Sequence, residues 1–280
     1  MPELPEVETV VRNLRQAGLE NRRLRSVRVN WNRIITGCSA RTFAARIKNR
    51  TILAIGRRGK FIIIRLSGNN TLLIHLRMTG QFTLTAPTAP RAGHAHIVLR
   101  LDDGRELRYL DTRKFGRWQL TCAPHLVLKR LGPEPLERTF RATEFAERLA
   151  THRRILKTLL LDQSFLAGLG NIYTDEALWE AGLHPQRRAN TLQQAEAKAL
   201  FMAIQKVLRQ GIRSAGTSLG SGKSNFANLE GRRGRHQHQL RVYQQTGTPC
   251  PRCGTPIRRI IVGQRSTHIC PVCQVPMRSV

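Results

Sequence analysis

The sequence predicts an α+β chain of more than one domain: an N-terminal helix, an antiparallel β domain, a helical domain and a metal-held hairpin near the C-terminus. Three observations carry this. The 280 residues suit about two domains. Apolar residues first come in short runs between Gly, Asn and Asp turns and later at helical spacing; the change falls at Gly132-Pro133-Glu134-Pro135, which interrupts helix and sheet alike. Four of the six cysteines stand in two CxxC pairs close to the C-terminus.

Taken in order, Pro2 to about Gly18 reads as a helix, because Val7, Val10, Val11 and Leu14 recur at helical spacing, acids crowd the first turns and Gly18 supplies a stop. From Leu24 to Leu120 the apolar runs are 51–55, 61–66, 71–76, 96–101, 107–110 and 118–120, with turns such as Ser67-Gly68-Asn69-Asn70 and Asp102-Asp103-Gly104. Helices are expected over Thr143–Asp162, Ile172–Ala181 and Thr191–Arg213, the last opened by a Thr191-x-x-Gln194 capping box. Ala167-Gly168-Leu169-Gly170-Asn171 runs into the second of these as a glycine loop. Thr217 to Asn228, rich in Gly, Ser and Asn, reads as a long loop.

Charge narrows the partner. Lys and Arg number 47 against 18 Asp and Glu, a net +29, and 39 of the 47 are Arg, whose planar fork matches phosphate. After Glu230 there is no acidic residue, and nine Arg lie between Arg232 and Arg278; such a tail repels itself unless an anion lies against it. A high genomic GC content would account for part of the Arg-over-Lys choice but not for the net charge. With 40% hydrophobic residues the chain is not disordered, and no window has the apolar length of a membrane span. The acidic, proline-bearing start MPELPEVETV is unlike a signal peptide, so a cytoplasmic location is expected.

Two patterns carry chemistry. Cys250-x2-Cys253-x16-Cys270-x2-Cys273 fits a four-thiolate tetrahedral zinc; a closed shell of four thiolates leaves no open position, so one structural Zn2+ is expected. Residues 255–269 between the pairs should form a β-hairpin, with His268 exposed on it. The second pattern is the chain start. Once Met1 is removed, Pro2 presents a secondary amine at a helix start, with Glu3 and Glu6 beside it. The helix dipole and a cation such as Lys60 would lower the amine's pKa and favour its nucleophilic form. Attack on a sugar C1′ would give an iminium, an electron sink. For an anonymous proline at this position, plain helix geometry is the first reading.

The stretch Met1-Pro2-Glu3-Leu4-Pro5-Glu6-Val7-Glu8-Thr9-Val10 resembles the formamidopyrimidine-DNA glycosylase family. The likeness continues in Gly59-Lys60, His75-Leu76-Arg77-Met78-Thr79-Gly80, residues 108–116, 131–136, 168–173 and Gly263-Gln264-Arg265-Ser266-Thr267, in order along nearly the whole chain. The resemblance implies a β-sandwich with an N-terminal helix, then a helix–two-turn–helix domain with a zinc-finger hairpin. It implies the boundaries 1–133 for a catalytic domain, 134–150 for a linker and the start of the first helix, 151–235 for the helical domain and 240–280 for the zinc finger. It implies a DNA glycosylase and AP lyase of base excision repair acting on oxidised purines in duplex DNA, as a monomer at the bacterial nucleoid.

By the same resemblance Pro2 is the nucleophile, Glu3 the acid that assists base and sugar-ring departure, Glu6 a supporting carboxylate, Lys60 the proton donor in β-elimination and Arg265 the zinc-hairpin arginine assigned to δ-elimination. Met78, Arg113 and Phe115 match the residues that fill the gap left by a flipped nucleotide; without the resemblance Met78 and Phe115 read as core, and Lys60 as a solvated lysine. His75, His94, His152, Arg153, Lys157 and Asn171 match DNA or phosphate contacts. Three departures stand out. His152 replaces a common Lys or Arg, residues 242–247 lack a basic residue before the zinc module, and Thr217 to Asn228 matches the base-capping loop only loosely. Two alternatives remain: an endonuclease VIII-like enzyme for oxidised pyrimidines, against which Leu4 speaks, and a catalytically silent protein that binds damaged DNA.

Overall fold

A computed structural model describes residues 1–219 and 226–276. The chain folds as two compact units, Met1–Lys129 with Ser214–Gln237, and Arg130–Arg213 with His238–Val280. The sequence division at 235 differs from this, because the chain returns to the first unit for 214–237. Thr217 N–H donates to Glu6 (2.8 Å), and Phe226 and Leu229 join the core of that unit. Residues 220–225 of the expected capping loop, and Arg278 of the basic tail, lie outside the described residues.

The first unit opens with helix α1 (Leu4–Gln16), then β1 (Leu24–Val29), β2 (Ile35–Thr36), α2 (Ala40–Ile47), β3 (Ile52–Arg58), β4 (Phe61–Leu66), β5 (Asn70–His75), β6 (Gly80–Thr85), β7 (Ala95–Leu101), β8 (Glu106–Asp111), β9 (Arg117–Thr121) and the short α3 (Pro124–Leu128). The sheets run in the orders β1-β7-β8-β6 and β2-β9-β5-β4-β3. The expected antiparallel pairing has one exception: β2 runs parallel to β9. Alternating residues from both sheets meet in one core, Leu24, Phe82, Ile97, Leu107 and Tyr109 from the first and Ile62, Ile64, Ile74 and Trp118 from the second, the period-2 arrangement of a sandwich.

Val7, Val10, Val11 and Leu14 of α1 belong to the same core. The helix ends in a Schellman motif: Gly18 adopts φ +70°, its N–H donates to Arg15 O, and Leu19 N–H reaches Leu14 O. Leu14 and Leu19 are both buried, which supplies the hydrophobic contact of that cap.

The second unit holds α4 (Ala142–Ala150), α5 (Leu156–Leu160), α6 (Asn171–Glu180), α7 (Gln194–Arg213) and the hairpin β10 (Arg258–Val262) and β11 (Arg265–Ile269). Two expectations change here. The helix expected over 143–162 is two, because Thr151 Oγ1 donates to Arg148 O (2.9 Å) and 152–155 run extended beside 187–190, with Asn190 N–H on His152 O and Ala189 N–H on Arg154 O. Helix α7 starts later than Thr191, whose hydroxyl donates to Arg188 O. Its start is closed instead by Glu196, which accepts from Gln193 N–H (2.8 Å). Helix α6 is buried nearly all round, enclosed by α7 at Gly211 and Tyr173 and by the zinc module at Trp179.

Candidate active site

The chain start is held by carboxylates. Glu3 caps α1, and its N–H donates to Glu6 Oε2 (2.8 Å), closing a capping box. The other oxygen of Glu6 accepts Thr217 N–H. Glu6 thus clasps the first residues to the segment leading into 217–228. Pro2, Glu3 and Glu6 are buried, while Met1 ahead of them is half exposed. Glu8 extends the arrangement: it pairs with Arg12 (2.8 Å) and with Arg57 (2.9 Å), which also reaches Gly59 O (3.4 Å). Burial alone would raise the Glu8 carboxyl, but these two guanidiniums hold its pKa below the ordinary value.

Gly59 and Lys60 form the two-residue turn between β3 and β4, with Arg58 paired to Phe61 and Gly59 at φ +55°, the left-handed value such a hairpin needs. Lys60 is 5% exposed, a correction to its reading as a solvated lysine. Phe61 pairs in turn with His75 of β5, and their rings meet edge to face at 5.0 Å. Burial, with Arg77 and Lys60 beside it, lowers the His75 pKa to about 3. Its Nδ1 accepts Arg77 N–H (3.0 Å), so the neutral ring carries its proton on Nε2, a donor suited to a phosphate oxygen.

The trio matched to void filling is brought together. Met78 and Phe115 are 42% and 45% exposed, which corrects the core reading that the residues alone suggest. Arg113 stacks its guanidinium 4.7 Å from the Phe115 ring centre and places Nη1 3.1 Å from Met78 Sδ. The loop ahead of β7, which bears the exposed His94, is held by Arg108, whose guanidinium donates to Pro90 O and Glu106.

The helical unit holds the remaining candidates. His152 is half-buried, with Nδ1 2.8 Å from Arg148 O and its ring 5.2 Å from Phe165. Arg153 is exposed, whereas Arg154 is paired to Asp162 (2.6 Å). The expectation for Lys157 is overturned: it is 0% exposed, its ammonium bonding Asp175 (2.5 Å) and Ser266 O (3.1 Å), so it cannot reach a phosphate. His268, expected to be exposed, is 5% exposed; its N–H donates to Asp175 (2.9 Å) and its ring meets Tyr243. Asn171, at the start of α6, donates to Ser266 O (2.8 Å). Arg265, one residue before this shared carbonyl, stands exposed on the hairpin.

The four cysteine sulfurs lie within 4.8 Å of one another, with Cys253 and Cys270 at 3.4 Å and Cys250 and Cys273 at 3.8 Å. A tetrahedron with Zn–S of about 2.3 Å has edges of about 3.8 Å, so the donor set fits one structural zinc. Each knuckle is preformed by the backbone, Gly254 N–H on Cys250 O and Gln274 N–H on Cys270 O. When bound, the ion cross-links the two strands of the hairpin at its base.

Sequence reasoning missed several residues that position these groups. Asp111, Thr79 and Tyr109 are buried beneath the Met78 and Arg113 loops, and Asp175 lies beneath the zinc hairpin. Thr79, Tyr109 and Asp111 fall within segments of family likeness, but nothing local marked them as supports, and Asp175 is an ordinary helix position.

In class the chain is a DNA-repair glycosylase of the helix–two-turn–helix, zinc-finger type. Residues 1–118 match the formamidopyrimidine-DNA glycosylase N-terminal domain, 131–222 the H2TH domain and 247–275 the zinc finger found in FPG and IleRS. The formamidopyrimidine-DNA glycosylase of Herpetosiphon aurantiacus is 50% identical over 277 residues, covering 98% of this chain and 100% of that one. That of Protochlamydia amoebophila is 44% identical over 274 residues, covering 98% and 99%. The Lactococcus lactis enzyme in complex with abasic-site DNA superposes with a TM-score of 0.90 at 36% identity, over 98% of this chain and 100% of that one; a mutant of it bound to Fapy-dG DNA agrees equally well. The chain belongs to the formamidopyrimidine-DNA glycosylase family, enzymes of DNA base excision repair. Among the described residues no helix is long and apolar enough to cross a membrane.

Proposed function

We propose that this chain excises oxidised purines, 8-oxoguanine and formamidopyrimidines, from duplex DNA and then nicks the strand, working through Pro2 once Met1 has been removed. The observation that carries this is the carboxylate clasp on the chain start: Glu6 accepts Glu3 N–H and Thr217 N–H at once, which fixes residue 2 in a buried setting. The secondary amine of Pro2 attacks C1′ as the C1′–N9 bond breaks, and the base leaves with a proton. Glu3 donates a proton to the sugar ring oxygen, so that the ring opens to an iminium on C1′. Loss of a C2′ proton then expels the 3′ phosphate, with Lys60 as the proton donor of this β-elimination. A second elimination expels the 5′ phosphate, with Arg265 assisting at that phosphate through its guanidinium, and water releases Pro2.

Met78, Arg113 and Phe115 fill the gap, and His75, His94, His152, Arg153 and Asn171 hold the DNA backbone. For Lys157 the role that fits its burial is structural. The catalytic part is assigned to 1–133, the linker and first helix start to 134–150, the helical part to 151–235, of which 214–235 pack with the first unit, and the zinc finger to 240–280. The protein works as a cytoplasmic monomer on nucleoid DNA. Borohydride trapping on duplex containing 8-oxoguanine opposite cytosine tests the reading, with protein shown by mass to begin at Pro2. A covalent adduct is expected that disappears on Pro2→Gly. No adduct, or one that survives the substitution, sinks the assignment, and faster excision of thymine glycol transfers the chain to the oxidised-pyrimidine class.

A further inference from the structure

We propose that Thr79 is a positioning residue whose hydroxyl joins the two void-filling loops into one body, so that Met78 enters the DNA in register with Arg113 and Phe115. The inference rests on the void-filling reading of that trio. It starts from topology. Strands β6 and β8 are neighbours, and Gly80 at the start of β6 pairs with Asp111 at the end of β8. The Met78 loop therefore enters the sheet where the loop of Arg113 and Phe115 leaves it.

A single buried carboxylate sits at this junction. Asp111 is fully buried; its Oδ2 accepts Gly116 N–H (2.7 Å) and its Oδ1 accepts the Thr79 hydroxyl (2.5 Å). Arg113 N–H is shared between Thr79 Oγ1 (3.2 Å) and Asp111 Oδ1 (3.3 Å). Two of these contacts hold the 111–116 loop to itself, but the Thr79 hydroxyl crosses from one loop to the other, donating to Asp111 and accepting from Arg113. Below it, a Cβ on Gly80 or Gly116 would stand 2.2 or 1.9 Å from the Tyr109 hydroxyl, so both loops rest on the same ring with no room for a side chain. Above it, the exposed tips touch through Arg113 and Met78. A contact between two solvated side chains is weak, so the buried hydroxyl sets their separation.

The function of such a clasp is specific. Filling the space of a flipped nucleotide requires the aromatic wedge, the apolar wedge and the guanidinium to arrive together, whereas a single strand has no stack to fill. Thr79→Val keeps the shape and removes the crossing bonds; Thr79→Ser restores them. Excision from 8-oxoguanine duplex by Thr79→Val is expected to fall about tenfold in kcat/KM, the scale of one lost hydrogen bond to a charged group, while Thr79→Ser stays within about twofold. Borohydride trapping of Thr79→Val on single-stranded abasic DNA should match the parent, and Thr79→Ala carries the same comparison if the valine is not recovered folded.

Equal losses on single strand and duplex would overturn the proposal, as would a Thr79→Ser variant as impaired as the valine. An unimpaired Thr79→Val beside impaired Met78→Ala and Arg113→Ala rejects the clasp while leaving the void-filling reading intact. If all three are unimpaired, that reading falls and the clasp falls with it.

Discussion

His75 shows how a residue's surroundings decide its chemistry. An imidazole is usually half-charged near pH 6.5, but here burial, then Arg77 and Lys60, depress its pKa to about 3. It therefore presents a neutral N–H rather than a cation. Between about pH 6.5 and 3 the unfolded chain binds a proton that the folded one refuses, so stability fully present above pH 6.5 is lost as the pH falls through that window. In His75→Gln the side-chain amide still accepts from Arg77 but cannot titrate. The parent's advantage over this variant in thermal unfolding should shrink by about 2 kcal/mol between pH 7 and pH 5. A gap that stays constant over that range excludes a depressed His75.

At the scale of elements, the hairpin that presents Arg265 is secured twice, by the cysteine knuckles at its base and by the buried pair Lys157–Asp175 along β11. Asp175 holds His268 N–H while Lys157 holds Ser266 O, joining α5, α6 and β11. Removing one member of a buried pair leaves the other charge unpaired, so Lys157→Met should lose about 3–5 kcal/mol, whereas Lys157→Met with Asp175→Leu should recover most of it. Chemical unfolding of the two variants checks this, and a double variant no better than the single refutes the pairing. Here the sequence was only partly legible. The sandwich strands, the helix start and the cysteine spacing follow from local pattern, and the hairpin's position follows from the cysteines. Lys157 and His268 were misread because burial by a segment about a hundred residues away leaves no local trace. The break at Thr151 escaped because residues 152–155 bond to the backbone of the distant segment 187–190, which helical periodicity does not record. The exposure of Met78 and Phe115 was legible only through family resemblance, since an apolar residue beside a strand normally points inward.

Over the whole molecule, the +29 charge separates into internal and outward parts. Acids are engaged within the fold: Glu8 by Arg57 and Arg12, Glu106 by Arg108, Asp162 by Arg154, Asp175 by Lys157, Glu196 by Arg187. Even if every acid paired, 29 of the basic residues would keep their charge for an external anion. Such residues release counterions from any duplex regardless of sequence, whereas the roles proposed for Arg113 and Arg265 are confined to a flipped nucleotide. The two classes should respond differently to salt. If about 6–10 phosphates are neutralised, affinity for undamaged duplex falls about 10³–10⁵-fold between about 50 and 200 mM salt. Arg153→Gln, which removes one exposed charge, should make the log–log slope shallower by about one and weaken all duplexes alike. Arg113→Gln should weaken lesion duplexes more than undamaged ones. Fluorescence anisotropy across a salt series reads both effects. A nearly salt-independent affinity for undamaged DNA would mean that the surplus charge does not face the duplex, and equal slopes for Arg153→Gln and the parent would remove Arg153 from the phosphate contacts.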